Sequence, residues 1–326
     1  MAHYLLTGAG FSRNWGGWLA NEVFEYLLAD KDITVPIRTQ LWRDKNSEGN
    51  FEDTVQHFRS LAQQGDASHY NLLISILAGM FNAMKNGFVS MGFKFEFQLS
   101  DMNMNVAVFL QKFEAIFTLN QDTLMEAHYL NDDIAGLARG KWNGWQIPGL
   151  EEPSRPLTRM APMERTMMRT AKLSGFALSG RNEQPYYKLH GSHNWNSGPT
   201  SGQLLIMGGN EENDIGQSPL LDWYGNQFRQ AVTSPYARLM IVGYSFSDRH
   251  INKVLRDAHT AGARFFIVDP MGVDAMDKRK VSNDSITHGL WDSLYPGIIG
   301  ASRRLMSSTF SSDRVEHAKL MHFFEH

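Results

Sequence analysis

His3-Tyr4-Leu5-Leu6-Thr7-Gly8-Ala9-Gly10-Phe11-Ser12 reads as a buried strand running into a tight glycine turn. Tyr4 to Thr7 suit a strand covered on both faces. Beyond the turn, Leu19, Val23, Tyr26 and Leu27 give Trp18–Leu28 the spacing of a helix, delayed by several residues. The same succession returns further along. Ala115–Leu119 runs into Asn120-Gln121-Asp122 and a helical Thr123–Leu130, and Tyr186–Leu189 runs into His190-Gly191. Arg238–Val242 ends in Gly243-Tyr244-Ser245-Phe246 with Asp248 placed to cap the helix Arg249–Ala261, and Arg264–Val268 closes on Asp269-Pro270. Strands that end in small or polar turns and feed helices predict an α/β fold with a doubly wound, Rossmann-like parallel sheet. In such sheets ligands bind beyond the carboxyl ends of the strands, where every one of these polar turns falls.

The rest of the chain hangs on this core, expected over about 1–33, 114–130 and 186–270. With 326 residues the length suits two domains or one enlarged α/β domain; the pattern favours a single domain over 1–326 with insertions. Residues 34–113 read as a helical insertion, with amphipathic helices at Phe51–Ala62 and His69–Ala83 and an unassigned Phe/Met-rich stretch at Phe88–Asn105. Residues 131–185 read as irregular, broken by Pro148, Pro153, Pro156 and Pro162. A C-terminal extension, 271–326, holds one helix candidate at Ser312–Phe324 and two stretches that suit either core or contact surface, Leu290–Ile299 and Phe323-Phe324.

Composition narrows the chemistry. Lys+Arg 31 against Asp+Glu 34 leaves a formal charge of −3, so no global basic field draws the chain to nucleic acid or an acidic membrane. There is no cysteine, which excludes disulfides, thiolate metal sites and cysteine nucleophiles. The apolar stretches are read as strand-sized and the N-terminal run as too short for a signal-peptide core, so the expected location is cytoplasmic with no membrane contact.

Each turn has a functional and a structural use. Gly8, Ala9, Gly10, Phe11 and Ser12 suit a backbone approaching a pyrophosphate, or a plain strand–helix turn. Asn120 and Asp122 can hydrogen-bond a ribose and a carboxamide, or cap the following helix. His190 suits general-base work, or is a satisfied structural histidine. His193 beside it suggests a metal, but no carboxylate stands at ligand spacing nearby in sequence, and no metal is expected. Gly243, Tyr244 and Ser245 can meet the phosphate or adenosine side of a dinucleotide, and Asp269 can accept from ribose hydroxyls.

In combination, GAGxS, TxNxD, LHG and a late GxS turn followed by a strand and Asp resemble the sirtuin superfamily. The stretch from Gly243 to Asn252 looks most like its bacterial sirtuin-like branch. The resemblance implies NAD+ as substrate, with Gly8, Ala9, Gly10 and Ser12 on the phosphates and Asn120 on the nicotinamide ribose or a water. It also implies Asp122 on the carboxamide, His190 on the ribose hydroxyls as base, and Gly243, Ser245 and Asp269 around the adenosine half. Two departures bear on activity. The four-cysteine zinc ribbon of protein-deacylating sirtuins has no counterpart, and Gly17-Trp18-Leu19-Ala20 stands where they carry a Pro-x-Phe-Arg type segment. The insertions are expected to replace the zinc module. The resemblance therefore points to an NAD+ glycohydrolase of the antiphage-defence type, a homo-oligomer or a protein held by a partner such as a HerA-type ATPase. The alternatives are ADP-ribosyl transfer, protein deacylation, or non-catalytic sensing of NAD or ADP-ribose.

Overall fold

The computed structural model describes residues 1–91, 95–98, 100–130, 141–152, 159–180, 182–198, 202–208, 211–276, 290 and 293–325. Its centre is a parallel sheet built outward from β1 (His3–Thr7). On one side of β1 lie β2 (Ala115–Thr118), β5 (Glu183–Lys188) and β3 (Gly144–Gln146). On the other lie β8 (Arg238–Val242), β9 (Arg264–Val268) and β10 (Ile298–Ser302). Every pairing in this sheet is parallel, with Thr7 level with both Thr118 and Val242. This is the α/β Rossmann-like fold expected. Leu5, Leu6, Ile116, Leu239 and Met240 are fully buried because helices cover both faces of the central strands. The chain leaves β1 in one direction for β2 and returns on its other flank as β8, so the strand order reverses beside β1. At that point the Thr7 hydroxyl donates to Thr118 Oγ1 at 2.8 Å, which satisfies two buried groups at neighbouring strand ends.

The first helix arrives earlier than its spacing suggests. Ala9–Arg13 is already helical, and Asn14 ends it by donating to the carbonyls of Gly10 and Phe11; the expected helix follows as Ala20–Ala29. Within 34–113 the helices Val35–Asn46, Phe51–Gln63 and Ser68–Ser90 pack together. The last outruns His69–Ala83 because Met84 and Phe88 continue its buried stripe. By length and composition Ser68–Ser90 is also apolar enough to cross a membrane, which corrects the reading that all apolar stretches are strand-sized. Here its buried stripe faces the core of the protein.

Three further findings concern pieces other than the expected strands and turns. Gly144–Gln146 pairs with β5, so part of 131–185 is sheet rather than irregular chain, and β5 itself starts at Glu183. Pro153, Pro156 and Trp291 lie outside the described residues. β4 (Arg169–Thr170), β6 (Gly191–Asn196) and β7 (Gln203–Leu205) form a small second sheet directly after His190. Gly191 makes that corner possible: its φ is +70°, and a Cβ there would meet the Leu204 carbonyl oxygen at 2.3 Å. Finally, the extension 271–326 supplies the edge strand β10, and of the two uses open to its apolar stretches Leu290, Leu294 and Phe323 take the core one, while Tyr295 and Ile299 are exposed. Ser312–Phe324 is helical over Arg314–Met321 and tightens into a 3₁₀ turn over His322–Phe324.

Candidate active site

A cavity of about 820 Å³ opens beyond the carboxyl ends of the strands, on both sides of the reversal beside β1. Gly8, Ala9, Gly10, Asn120, Asp122, His190, Gly243, Tyr244, Ser245 and Asp269 all line it. Other residues complete the walls: Glu52, Phe81, Met84, Glu211 and Arg304, which sequence reasoning did not single out, and Gln121 and Asp248, which it read as part of a turn and as a helix cap.

The glycines are there first for each other. Gly8 and Gly10 donate their amides to the carbonyls of Val242 and Gly243, both at 3.0 Å, locking the β1 turn onto the β8 turn. A Cβ on Gly10 would sit 2.7 Å from Gly243 Cα, and one on Gly243 would sit 2.4 Å from Gly10 C with φ already at +63°. Two turns in backbone contact need glycine whether or not a ligand arrives; the cavity floor they form is a consequence. Phe11 does not face this cavity. Its ring is fully buried, 5.0 Å from that of Trp15. Ser12 is buried too, and its Oγ accepts from Asn120 Nδ2 at 2.9 Å. Both residues therefore act behind the wall, Phe11 as core and Ser12 as the anchor of the Asn120 amide.

Asp122 serves as a cap as well as a wall. One carboxylate oxygen accepts from Leu124 N at 2.9 Å, opening the helix Leu124–His128. Beneath this turn lies an ion pair that no local pattern announces. Lys188 Nζ donates to Glu126 Oε1 at 2.8 Å and to the Asp122 carbonyl, with both charged side chains at 1% exposure or less. Burial pushes Glu126 up and the Lys188 ammonium pulls it back down. The pair pins the Asn120–Asp122 turn from below.

His190 follows β5 and lines the wall while itself buried. Burial lowers its pKa to about 4, so the imidazole is neutral near pH 7. Its Nε2 lies 3.1 Å from Nε2 of His250, on the helix Arg249–Thr260. His250 is also lowered to about 4, by burial first and by His190 second. His250 Nδ1 is 3.7 Å from a Glu211 carboxylate oxygen. Burial, then Asp248 and Glu52, raise Glu211 to about 9; burial, then Asp248 and Asp53, raise Glu52 to about 7. Asp248 rises as well, chiefly through burial. It occupies the N-cap position expected, but its side chain makes no capping bond and takes the Ser247 hydroxyl at 3.1 Å instead. Glu52 is delivered by the helix Phe51–Gln63, whose first turn is fixed by Asn50 and Asp53 capping each other.

The remaining turn residues hold their own loops. Tyr244 Oη donates to Asn252 Oδ1 at 3.1 Å, Ser245 shares a 2.7 Å contact with Ser247, and Asp269 Oδ1 accepts from Met271 N at 2.8 Å. Sequence reasoning missed the acidic and histidine wall because Glu52, Glu211 and His250 are brought together only by the fold. Its one visible trace was His250 itself, inside the Gly243–Asn252 stretch.

No curated protein matches the chain. A family model described as a SIR2-like domain matches residues 114–287, a span that carries Asn120, Asp122, His190, Gly243 and Asp269 and covers a little over half of the sequence. SIR2-like proteins are NAD-dependent enzymes, and with this fold and this match the chain belongs to the SIR2-like family.

Proposed function

We propose that the protein is an NAD+ glycohydrolase that releases nicotinamide and ADP-ribose. The observation that carries the reading is the meeting of Asn120, Asp122 and His190 with the β1 and β8 turns around one cavity. Its volume lies in the range of small-molecule and cofactor sites. Arg13 and Arg304 line it from the β1 and β10 sides, where a pyrophosphate needs positive charge, and the raised carboxyl groups of Glu52, Glu211 and Asp248 stand towards the His190 end, where a cationic nicotinamide would favour their ionisation.

In the reaction, water attacks the anomeric carbon of the nicotinamide ribose. The glycosidic bond breaks, and its electron pair passes to the pyridinium nitrogen to leave neutral nicotinamide. Asn120, held by Ser12, orients the water. Asp122 binds the carboxamide with the oxygen not used by Leu124, and neutral His190 takes the proton the water loses. The charge that develops on the ribose is stabilised by groups already in place. A chain with no cysteine has no zinc ribbon to form an acyl-lysine channel, which favours water over an acyl oxygen as the nucleophile.

Nicotinamide release by wild type, His190→Ala and Asn120→Ala tests the assignment. A positioned base or water is worth about 10²–10⁴-fold, and each variant is expected to lose at least the lower figure. Equal release from all three overturns it. Mass spectrometry of the products separates free ADP-ribose from a modified or deacylated protein, and calorimetric NAD+ binding with no turnover points to a sensor instead.

The reading extends to a cytoplasmic NAD-depleting defence effector held in check by self-assembly or by a partner such as a HerA-type ATPase. Exposed Met163, Met167, Met168, Leu173 and Leu178 support an interface on the segment before β5. Light scattering that finds a plain monomer, active without additions, overturns this extension.

A further inference from the structure

His190, Glu211 and His250 come from three elements far apart in sequence, yet a ligand atom of each lies within 4.8 Å of the other two. The two imidazole nitrogens are 3.1 Å apart, and ligands at tetrahedral angles on about 2.0–2.1 Å bonds stand about 3.3 Å from one another. With no ion between them, the two rings share a single proton in a hydrogen bond. With an ion, a ring nitrogen of each histidine and one Glu211 carboxylate oxygen supply three ligands, and the cavity that His190 and Glu211 line leaves room for a fourth.

We propose that His190, Glu211 and His250 form a site for a divalent transition-metal ion of the zinc class, and that this ion excludes NAD+ turnover. Two imidazoles and one carboxylate suit zinc, cobalt, nickel or copper, whereas magnesium and calcium take all-oxygen sets. The charge also fits. One carboxylate balances half of a divalent ion, and Asp248 and Glu52 are near enough to Glu211 to act on its charge. The site is only 5% exposed at His190 and 17% exposed at the side chains of His250 and Glu211, so a bound ion is shielded from bulk water but reachable through the cavity. Binding the ion occupies the His190 lone pair that the attacking water must use. The ion site stands on its own geometry, whereas its effect on turnover rests on the glycohydrolase reading.

Cobalt(II) titrated into the chelator-treated full chain reads the site without any enzymatic step, through its visible d–d bands. One equivalent is expected to give the bands of a low-coordinate ion, and zinc to displace it. Glu211→Gln and His250→Ala are each expected to weaken binding by about 10-fold or more. Glu211→Gln keeps the shape of the side chain, so it decides the matter if His250→Ala fails to fold. Absence of a one-equivalent signal, or binding unchanged in the variants that fold, overturns the site. Nicotinamide release then tests the consequence: zinc is expected to inhibit competitively with NAD+ and chelator to restore activity. Turnover unchanged by saturating zinc overturns the exclusion. Chelated protein that binds cobalt normally yet never turns over NAD+ overturns the glycohydrolase reading and leaves the ion site standing.

Discussion

The two walls of the cavity are built on opposite principles. On one side, the turns after β1 and β8 meet backbone to backbone, through hydrogen bonds of 3.0 Å and with no space for an added carbon. On the other, His190, Glu211 and Glu52 reach inward as side chains from separate elements, with His250 against His190 and Glu211 behind them. The first wall has nothing to adjust, so a substitution there is felt as lost stability. The second can lose or change a group while the sheet behind it stays intact, so a substitution there is felt in chemistry. The turn Asn120–Asp122 belongs to both, since side chains of catalytic type stand on a backbone pinned from below by Lys188.

That shared turn gives the largest expected effect. Lys188→Met strands Glu126 and the Asp122 carbonyl in the core, and breaking one partner of a buried pair costs about 3–5 kcal/mol. Urea unfolding measures it, and a cost below about 1 kcal/mol would show that the pair is not sealed from water. Next comes Gly243→Ala, which tests the backbone wall directly. It forces a side chain onto Gly10 at a positive φ, and overpacking together with backbone strain is expected to cost about 2–5 kcal/mol. If the variant is as stable as wild type, the two turns are not in the contact described.

How much of this was legible in sequence follows the same division. β1, β8 and β9 are continuous apolar runs, because both their faces are buried, and such runs are visible locally. Gly144-Trp145-Gln146 and Ile298-Ile299-Gly300-Ala301-Ser302 are edge strands, short or interrupted by small residues, and their membership depends on β5 and β9 rather than on their own pattern. The polar turns were visible as turns, since a strand that ends at Asn120, His190 or Gly243 marks itself. What Phe11 and Ser12 do was not, because lining the cavity and lying behind it look alike when only spacing is known. Glu52, Glu211 and His250 were invisible as a group, because nothing along the chain relates positions that only the wrapping of three helices brings together.

A smaller effect separates a histidine of the core from the histidine that lines the cavity. His193 follows His190 by three residues but faces the core, stacked on Phe81 at 5.1 Å with Nδ1 3.0 Å from the Gln121 carbonyl. Burial, reinforced by Lys188 and Lys85, lowers its pKa from 6.5 to about 4. Between those values the unfolded chain takes up a proton that the folded one refuses, so stability is lost as pH falls from about 6.5 towards 4. At pH 5 this amounts to about 2 kcal/mol relative to pH 7. His193→Asn keeps a donor for Gln121 and removes the titration. Denaturation at both pH values is expected to show wild type losing about 2 kcal/mol more than the variant, whatever the carboxyls of the cavity contribute to both. An equal loss would mean that His193 is solvated.

The smallest expected effect bears most directly on catalysis. Ser12 does not line the cavity, but its Oγ, on the short helix after β1, is the acceptor that holds the Asn120 amide beyond the end of β2. Ser12→Ala removes one hydrogen bond worth about 0.5–1.5 kcal/mol, so the expected loss in kcal/mol of stability is at the lower end of the set. If Asn120 orients the reacting water, the same freed amide should slow nicotinamide release by roughly 2- to 13-fold, which is that energy expressed as a rate. A merely structural serine would leave the rate alone. The decisive comparison is the double variant. Since Ser12 acts only through Asn120, Ser12→Ala added to Asn120→Ala should slow the reaction no further, whereas two independent contributions would multiply.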